Sequence, residues 1–438
     1  MDLSELTAIS PIDGRYRSKV ESLAEWFSEY GLIKLRVKVE LEYLKALAKE
    51  LKIGIVPKVS ELTVEDAKWI KNKEAEIKHD LKSVEYFLRE KIKDKKLLNF
   101  IHFGTTTYDI DIPAYGLALK NANQTILVPE LSKLVSKLKV LTKENAGLVM
   151  LARTHGQTAV PTTIGKEMAN FLFRIEKPVL GLENWQFEGK LTGAVGNYNA
   201  LVAAYPKIDW VKFSQKFVKN LGLKPNIHTT QILPYDNWLE YFSKLKLLNN
   251  ILIGFCQDMW RYISDDYFLQ IPKAGEVGSS TMPQKVNPID FENAEGNLGI
   301  ANSLIGFFES KLPISRLQRD LSDKTVKRNF GVALAHSLLA YQNILSGLGK
   351  ITPNSKKMAE DLDNHWEVIA EGIQTILRAE GVPDAYEKLK DLTRGKKITK
   401  ADYEKFIEEI EVPKEVKTRL LNLSPKTYIG LAKELANL

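Results

Sequence analysis

The stretch Gly275–Pro288 holds the residue types best suited to chemistry. It reads Gly275-Glu276-Val277-Gly278-Ser279-Ser280-Thr281-Met282-Pro283-Gln284-Lys285-Val286-Asn287-Pro288. Two glycines, two serines and two prolines within fourteen residues exclude a regular helix. A long polar loop is expected there, and such loops serve as lids. It offers hydroxyls, backbone N–H groups freed by glycine, and the Lys285 ammonium, the parts of a site that stabilises a developing oxyanion. Two histidines add proton-transfer capacity, because imidazole titrates near neutrality. His155 lies in Arg153-Thr154-His155-Gly156-Gln157, and His79 precedes Asp80. Taken alone, each feature also fits a plainer role: an inter-helix connection, a loop histidine, a histidine on a helix surface.

The elements that would position these groups are helical almost throughout. From Thr63, with Asp66 as a capping partner, apolar residues recur at Ile70, Ile77, Leu81, Val84 and Leu88. That spacing predicts one helix with His79 in its middle. A second pattern runs from near Asp109 through Leu117, Ile126, Leu131 and Leu138 to Leu141. Others span Trp238 to Tyr262, Ile289 to Leu312 and Val326 to Leu348. No Asn-Gly or Asp-Gly hairpin flanked by alternating strands is seen. Helices this long predict an all-α protein with a central long-helix bundle. Punctuation at 99–107 and 351–355 suggests three domains: an N-terminal helical domain (1–98), the central bundle (99–350) with the catalytic loop 271–288, and a C-terminal helical domain (351–438).

Bulk properties narrow the class. The 438 residues suggest about three units of ~150. With 44% hydrophobic and 27% charged residues, wholesale disorder is excluded. The net charge of +7 is spread along the chain, which fits an anionic small substrate or a lysine-rich surface and shows no nucleic-acid-binding arm. One cysteine, Cys256, rules out an internal disulfide and points to a reducing compartment. The N-terminus lacks a signal-peptide pattern and no apolar run reaches the ~18–20 residues of a membrane span, so the cytoplasm is expected. No HExxH, cysteine cluster or EF-type loop is present, so no metal site is expected.

The run GSSTMPQKVNP resembles the loop pattern GSSxMPxKxN of the fumarase/aspartase superfamily. Thr105-Thr106-Thr107-Tyr108-Asp109 and Arg153-Thr154-His155-Gly156-Gln157 match two further regions in the right order. Within the superfamily the chain resembles the adenylosuccinate lyase family of bacterial type. That likeness runs nearly end to end, through Ser10–Tyr16, His79–Lys82, Gly165–Asn170, Gly193–Asn199, Asn287–Asn293 and Tyr386–Leu389.

The resemblance implies β-elimination of fumarate from adenylosuccinate, giving AMP, and from succinylaminoimidazole carboxamide ribotide, giving aminoimidazole carboxamide ribotide. It implies no metal or organic cofactor, and a homotetramer whose active sites are shared between subunits. On this resemblance Ser279 is the base, His155 the acid, Lys285 a stabiliser of the serine alkoxide, and His79 with Asp80 orients substrate and acid. Arg15, Tyr16, Arg319 and Arg328 match positions holding the nucleotide. Thr106, Thr107, Ser280, Asn287 and Asn293 match positions holding the succinyl and base portions. Gln231 matches a substrate-contacting position, whereas His102, His228, His336 and His365 have weaker claims. Four departures are visible: Thr107 for a serine, Gln284 for a histidine, Lys78 for an asparagine, and Lys324 for a phosphate-contacting serine. The last places a cation beside Arg328. Rival readings are a sister lyase acting on argininosuccinate, malate or aspartate, a homologue without catalysis, and, on charge alone, a nucleic-acid-binding helical protein.

Overall fold

The computed structural model describes residues 4–272, 282, 284–393 and 398–438. Ser279, Ser280 and most of the expected catalytic loop therefore lie outside the described residues. Along the chain, the helices used below are α1 (Glu29–Leu51), α2 (Val64–Ile77), α3 (Asp80–Lys91), α4 (Thr107–Ala122), α5 (Val128–Glu144), α6 (Ile164–Glu183), α7 (Asp236–Ser264), α8 (Ile289–Lys311), α9 (Ser322–Lys327) and α10 (Phe330–Leu348). Strands β1 (Val149–Thr154) and β2 (Gln157–Thr163) lie between α5 and α6. Contacts divide the chain into two compact units. The first comprises Met1–Ser132, Pro178–Ile253 and Ala294–Gln342; the second comprises Lys133–Lys177, Gly254–Asn293 and Asn343–Leu438.

The long patterns expected from Trp238 and Ile289 appear as α7 and α8. The helix expected from Thr63 to Leu88 is instead broken. Thr63 and Asp66 form the capping box that starts α2. Lys78 then takes a left-handed conformation (φ 58°) and ends it, its N–H bonded to the Glu74 carbonyl at 2.7 Å. His79 is extended and caps α3, its Nδ1 accepting the Lys82 N–H at 3.1 Å. His79 is thus a helix N-cap and not a mid-helix residue: its imidazole satisfies an orphan donor of the kind Ser or Asp ordinarily takes. The pattern near Val326 is also split, between α9 and α10, where the Asn329 side chain donates to the Thr325 carbonyl and competes with the helical ladder.

In the first unit α4 is buried on every side from Tyr108 to Leu119, the mark of a central helix. Beside it, Phe330 packs its ring against Phe242 and Phe308 with centroids 4.9 and 5.0 Å apart. All three are fully buried, each contributing about 1.5–3 kcal/mol through removal from water. A π-helical turn, Asn123–Leu127, joins α4 to α5. It is held by the buried Asn123 amide, which donates to the Leu182 carbonyl and accepts the Tyr241 hydroxyl.

In the second unit β1 and β2 pair antiparallel as a hairpin, with Thr154 opposite Gln157. The two turn residues, His155 and Gly156, have φ of 53° and 73°. Positive φ at both positions matches the twist of a two-residue hairpin, which usually selects Asn-Gly. Histidine in the first position hid the hairpin from a composition-based reading. Leu151 of β1 joins a core with Ile369, Ile373, Leu377, Tyr403 and Leu420 from the C-terminal helices.

Candidate active site

A cavity of about 380 Å³ opens in the first unit. It is lined by Lys78, His79, Asp80, Thr107, Arg319, Lys324 and Arg328, all singled out from the sequence, together with Glu74, Leu321 and Thr325. The break between α2 and α3 brings Lys78 and His79 there. Because Nδ1 of His79 accepts a backbone N–H, its neutral ring carries its proton on Nε2. That side chain is half exposed and able to meet a ligand.

Asp80 is buried and faces two cations through one oxygen. Lys324 Nζ lies 2.5 Å from Oδ2, and an Nη of Arg36 lies 3.2 Å from it. Burial alone would raise the Asp80 carboxyl; the Arg36 charge and the adjoining Lys324 ammonium outweigh it and hold the group well below the usual carboxylate range. Arg36 is itself buried and grips Asp111 Oδ1 through two N–H groups at 2.6 and 2.8 Å. Although burial opposes its charge, Asp111 and Asp80 together raise its pKa.

A second buried network supports α9. Asp323 accepts the hydroxyls of Tyr108 at 2.7 Å and Tyr235 at 2.6 Å, and Lys327 Nζ lies 3.0 Å from it. Burial lowers the Lys327 pKa against the pull of Asp323 and Asp111. Arg319 stacks its guanidinium 4.1 Å from the Tyr108 ring centroid and donates to Gln231 Oε1 at 3.0 Å. Gln231 is thereby tied to the cavity wall. Thr106 caps α4, its N–H bonded to Asp109 Oδ2 at 3.0 Å, which sets Thr107 in the first turn.

The remaining candidates lie elsewhere. Arg15 is exposed and Tyr16 half-buried near the N-terminus, and neither lines the cavity. In the second unit His155 is exposed at the hairpin tip. Lys285 is also exposed, its N–H bonded to the Met282 carbonyl. Asn287 is half-buried, and Asn293 accepts the Asn343 amide at 2.5 Å. Among the other histidines, His102 meets buried Glu40 at 2.5 Å, His336 meets Asn297 at 2.8 Å, and His365 meets the Asp361 carbonyl at 2.7 Å.

Sequence reasoning missed the supporting charges Arg36, Asp111, Lys190, Asp323 and Lys327, and gave no role to Asp109, which it read only as part of the Thr105–Asp109 motif. One signal was available: Asp109 and Asp111 alternate with Ile110 and Ile112 inside an otherwise apolar helix, where a charge must find a partner. Among the described residues no group of three or more His, Cys, Asp or Glu side chains is arranged to hold a metal ion. Among them, too, no helix is long and apolar enough to cross a membrane.

The fold recurs in a fumarate lyase from Mesorhizobium sp. BNC1, with a TM-score of 0.76 at 16% identity over 95% of this chain and 96% of that one. It recurs also in the 3-carboxy-cis,cis-muconate lactonizing enzyme from Pseudomonas putida, with a TM-score of 0.73 at 20% identity over 95% of each chain. Residues 14–302 match the family model described as Lyase. The protein is therefore a lyase with the all-α fumarase/aspartase fold. Residues 315–429 match the model described as Adenylosuccinate lyase C-terminal. The chain is 47% identical to the adenylosuccinate lyase of Haemophilus influenzae over 99% of both chains. It is also 47% identical to that of Escherichia coli K12, over 99% of this chain and 98% of the relative, and 46% identical to that of Legionella pneumophila strain Corby, over 99% of both. The chain belongs to the adenylosuccinate lyase family.

Proposed function

We propose that the protein releases fumarate from adenylosuccinate, leaving AMP, and from succinylaminoimidazole carboxamide ribotide, leaving aminoimidazole carboxamide ribotide. The observation that carries this reading is the cavity of the first unit. Among the described residues it is lined by four cationic side chains, Lys78, Arg319, Lys324 and Arg328, against two carboxylates, Glu74 and Asp80, with His79 at its edge. Such a surplus suits a ligand bearing phosphate and carboxylates.

The chemistry follows from the residue types. Ser279, as alkoxide, takes a proton from the succinyl carbon next to a carboxylate. The electron pair left there forms the fumarate double bond as the adjacent carbon–nitrogen bond breaks. His155 protonates the departing nitrogen. Lys285 and loop N–H groups offset the alkoxide charge, and His79 orients substrate and acid. Arg15, Tyr16, Arg319, Lys324 and Arg328 hold the nucleotide. Thr106, Thr107, Gln231, Ser280, Asn287 and Asn293 hold the succinyl and base portions. No metal or organic cofactor enters the scheme.

On this reading the protein works in the cytoplasm as a homotetramer, residues 99–350 forming the shared helical domain between segments 1–98 and 351–438. Other copies of the chain complete each site. The test is turnover by purified protein: adenylosuccinate should yield AMP and fumarate in equal amounts, while argininosuccinate and malate remain unchanged. Turnover of either of those instead, or of none, would overturn the reading. Light scattering checks the tetramer.

A further inference from the structure

Asp109 and Lys190 form an ion pair at 2.9 Å, and neither side chain is exposed. Around it three separate segments meet. Asp109 Oδ2 accepts the N–H of Thr106 at 3.0 Å and of Gly193 at 3.0 Å, while Oδ1 accepts that of Thr192 at 2.9 Å. Lys190 Nζ donates to the Gln231 carbonyl at 2.8 Å. The segment after Lys190 is bent to make these contacts: Gly193 and Gly196 have φ of 80° and 83°, and a Cβ on Gly196 would lie 2.0 Å from the Thr229 carbonyl oxygen. The Thr192 and Thr229 hydroxyls add a link at 2.6 Å, and the Gln231 side chain closes the circuit by donating to the Ala194 carbonyl at 3.0 Å.

A buried ion pair is a poor device for stability alone, because apolar residues of similar volume often serve as well or better. What this pair supplies is geometry. It joins the start of α4, where Thr106 is the cap and Thr107 the first helical residue, to Gln231 and through it to Arg319. We infer that Asp109 and Lys190 are a positioning pair for the elimination, fixing the threonine hydroxyls against Gln231 and Arg319 so that the succinyl group is held in one reactive orientation. The inference rests on the function proposed above. Neither residue reaches the substrate.

Misplacement of about 1 Å can cost ~10²-fold in rate. In the full-length protein, Lys190→Met removes the charge at similar length, and Asp109→Asn keeps an acceptor oxygen. Each should lower kcat on adenylosuccinate about 10²-fold, with KM changed less than about threefold, because Lys324 and Arg328, which the proposed function also assigns to the nucleotide, make no contact with the pair. Inhibition by fumarate should weaken about tenfold. Lys190→Arg, which retains charge and donors, should recover at least about a tenth of wild-type kcat. A purely structural role gives a different result: a lower Tm, with kcat per folded molecule and fumarate inhibition within about twofold of wild type, and that result overturns the inference. Should Lys190→Met not fold, Asp109→Asn carries the same comparison. Wild-type turnover on adenylosuccinate is the control that separates failure of this inference from failure of the proposed function.

Discussion

Lys324 Nζ and Asp80 Oδ2 lie 2.5 Å apart, and Arg36 reaches the same oxygen at 3.2 Å. The Lys324 side chain is only 15% exposed. Its ammonium lines the cavity and pairs with Asp80; under the proposed function the same charge also adds to the field that draws the anionic substrate. The pairing couples α9 to the start of α3 through a contact that a serine is too short to make.

Lys324→Ser should raise KM several-fold for both succinyl nucleotides and leave kcat little changed, because a remote phosphate binds alike in ground and transition states. The salt dependence of KM should flatten. An unchanged KM at low ionic strength would remove Lys324 from the binding field. Acid stability offers an independent check. The Asp80 pKa is depressed in the folded state, so its stabilisation is fully present above the unfolded value of about 3.9 and is lost as pH falls through the folded value. Losing Lys324 raises that folded value towards 3.9. The variant should therefore be less stable near neutrality, and the gap should close in acid.

The proposed acid sits at a conformationally demanding position, which governs the choice of variant. His155 has φ 53°, and asparagine tolerates the left-handed region better than most residues. His155→Asn should keep the hairpin and cut turnover ~10²–10⁴-fold, as should Ser279→Ala. Either variant retaining more than about a tenth of activity, a barrier change of only ~1.4 kcal/mol, would lose its assigned role.

Much of the fold was legible because it is written in apolar spacing. The pattern from Trp238 matches α7, and Thr63 with Asp66 marks the start of α2. What was hidden depends on backbone conformations that spacing does not encode. Lys78 in a left-handed conformation ends α2 where the apolar period continues through Leu81 and Val84. His155 takes a hairpin position that asparagine usually fills. At the cavity, motif residues such as His79 and Arg319 stood out, whereas Arg36 and Lys327 did not, since a charged residue in a helix reads as surface until its partner is known.

Glu40 and His102 form a buried pair, Nδ1 lying 2.5 Å from Oε1, with Glu40 only 1% exposed. Burial would lower the His102 pKa; the hydrogen bond and charge of Glu40, with smaller help from Glu85 and Asp109, raise it above its ordinary value. A raised folded pKa contributes stability that is fully present below about 6.5 and is lost as pH rises through the folded value. The stability lost in His102→Gln should thus be largest near pH 5.5 and shrink in mildly alkaline solution. Urea denaturation at the two pH values measures this. A pH-independent difference would mean that His102 acts by packing alone.

His79 lies in the first unit and His155 in the second. If subunits share sites as proposed, a site draws these two histidines from different copies. A His79→Asn protein and a His155→Asn protein would each be inactive alone, since every site lacks one of the two. Mixed in equal amounts after mild dissociation, a site takes an intact His79 from one variant and an intact His155 from the other, each with even odds. About a quarter of the sites would then be whole, and roughly a quarter of wild-type activity should return in a symmetric assembly. If both histidines of a site came from one chain, no mixture could restore activity. Native mass spectrometry would verify hybrid formation, and hybrids without activity would place both histidines in a single subunit.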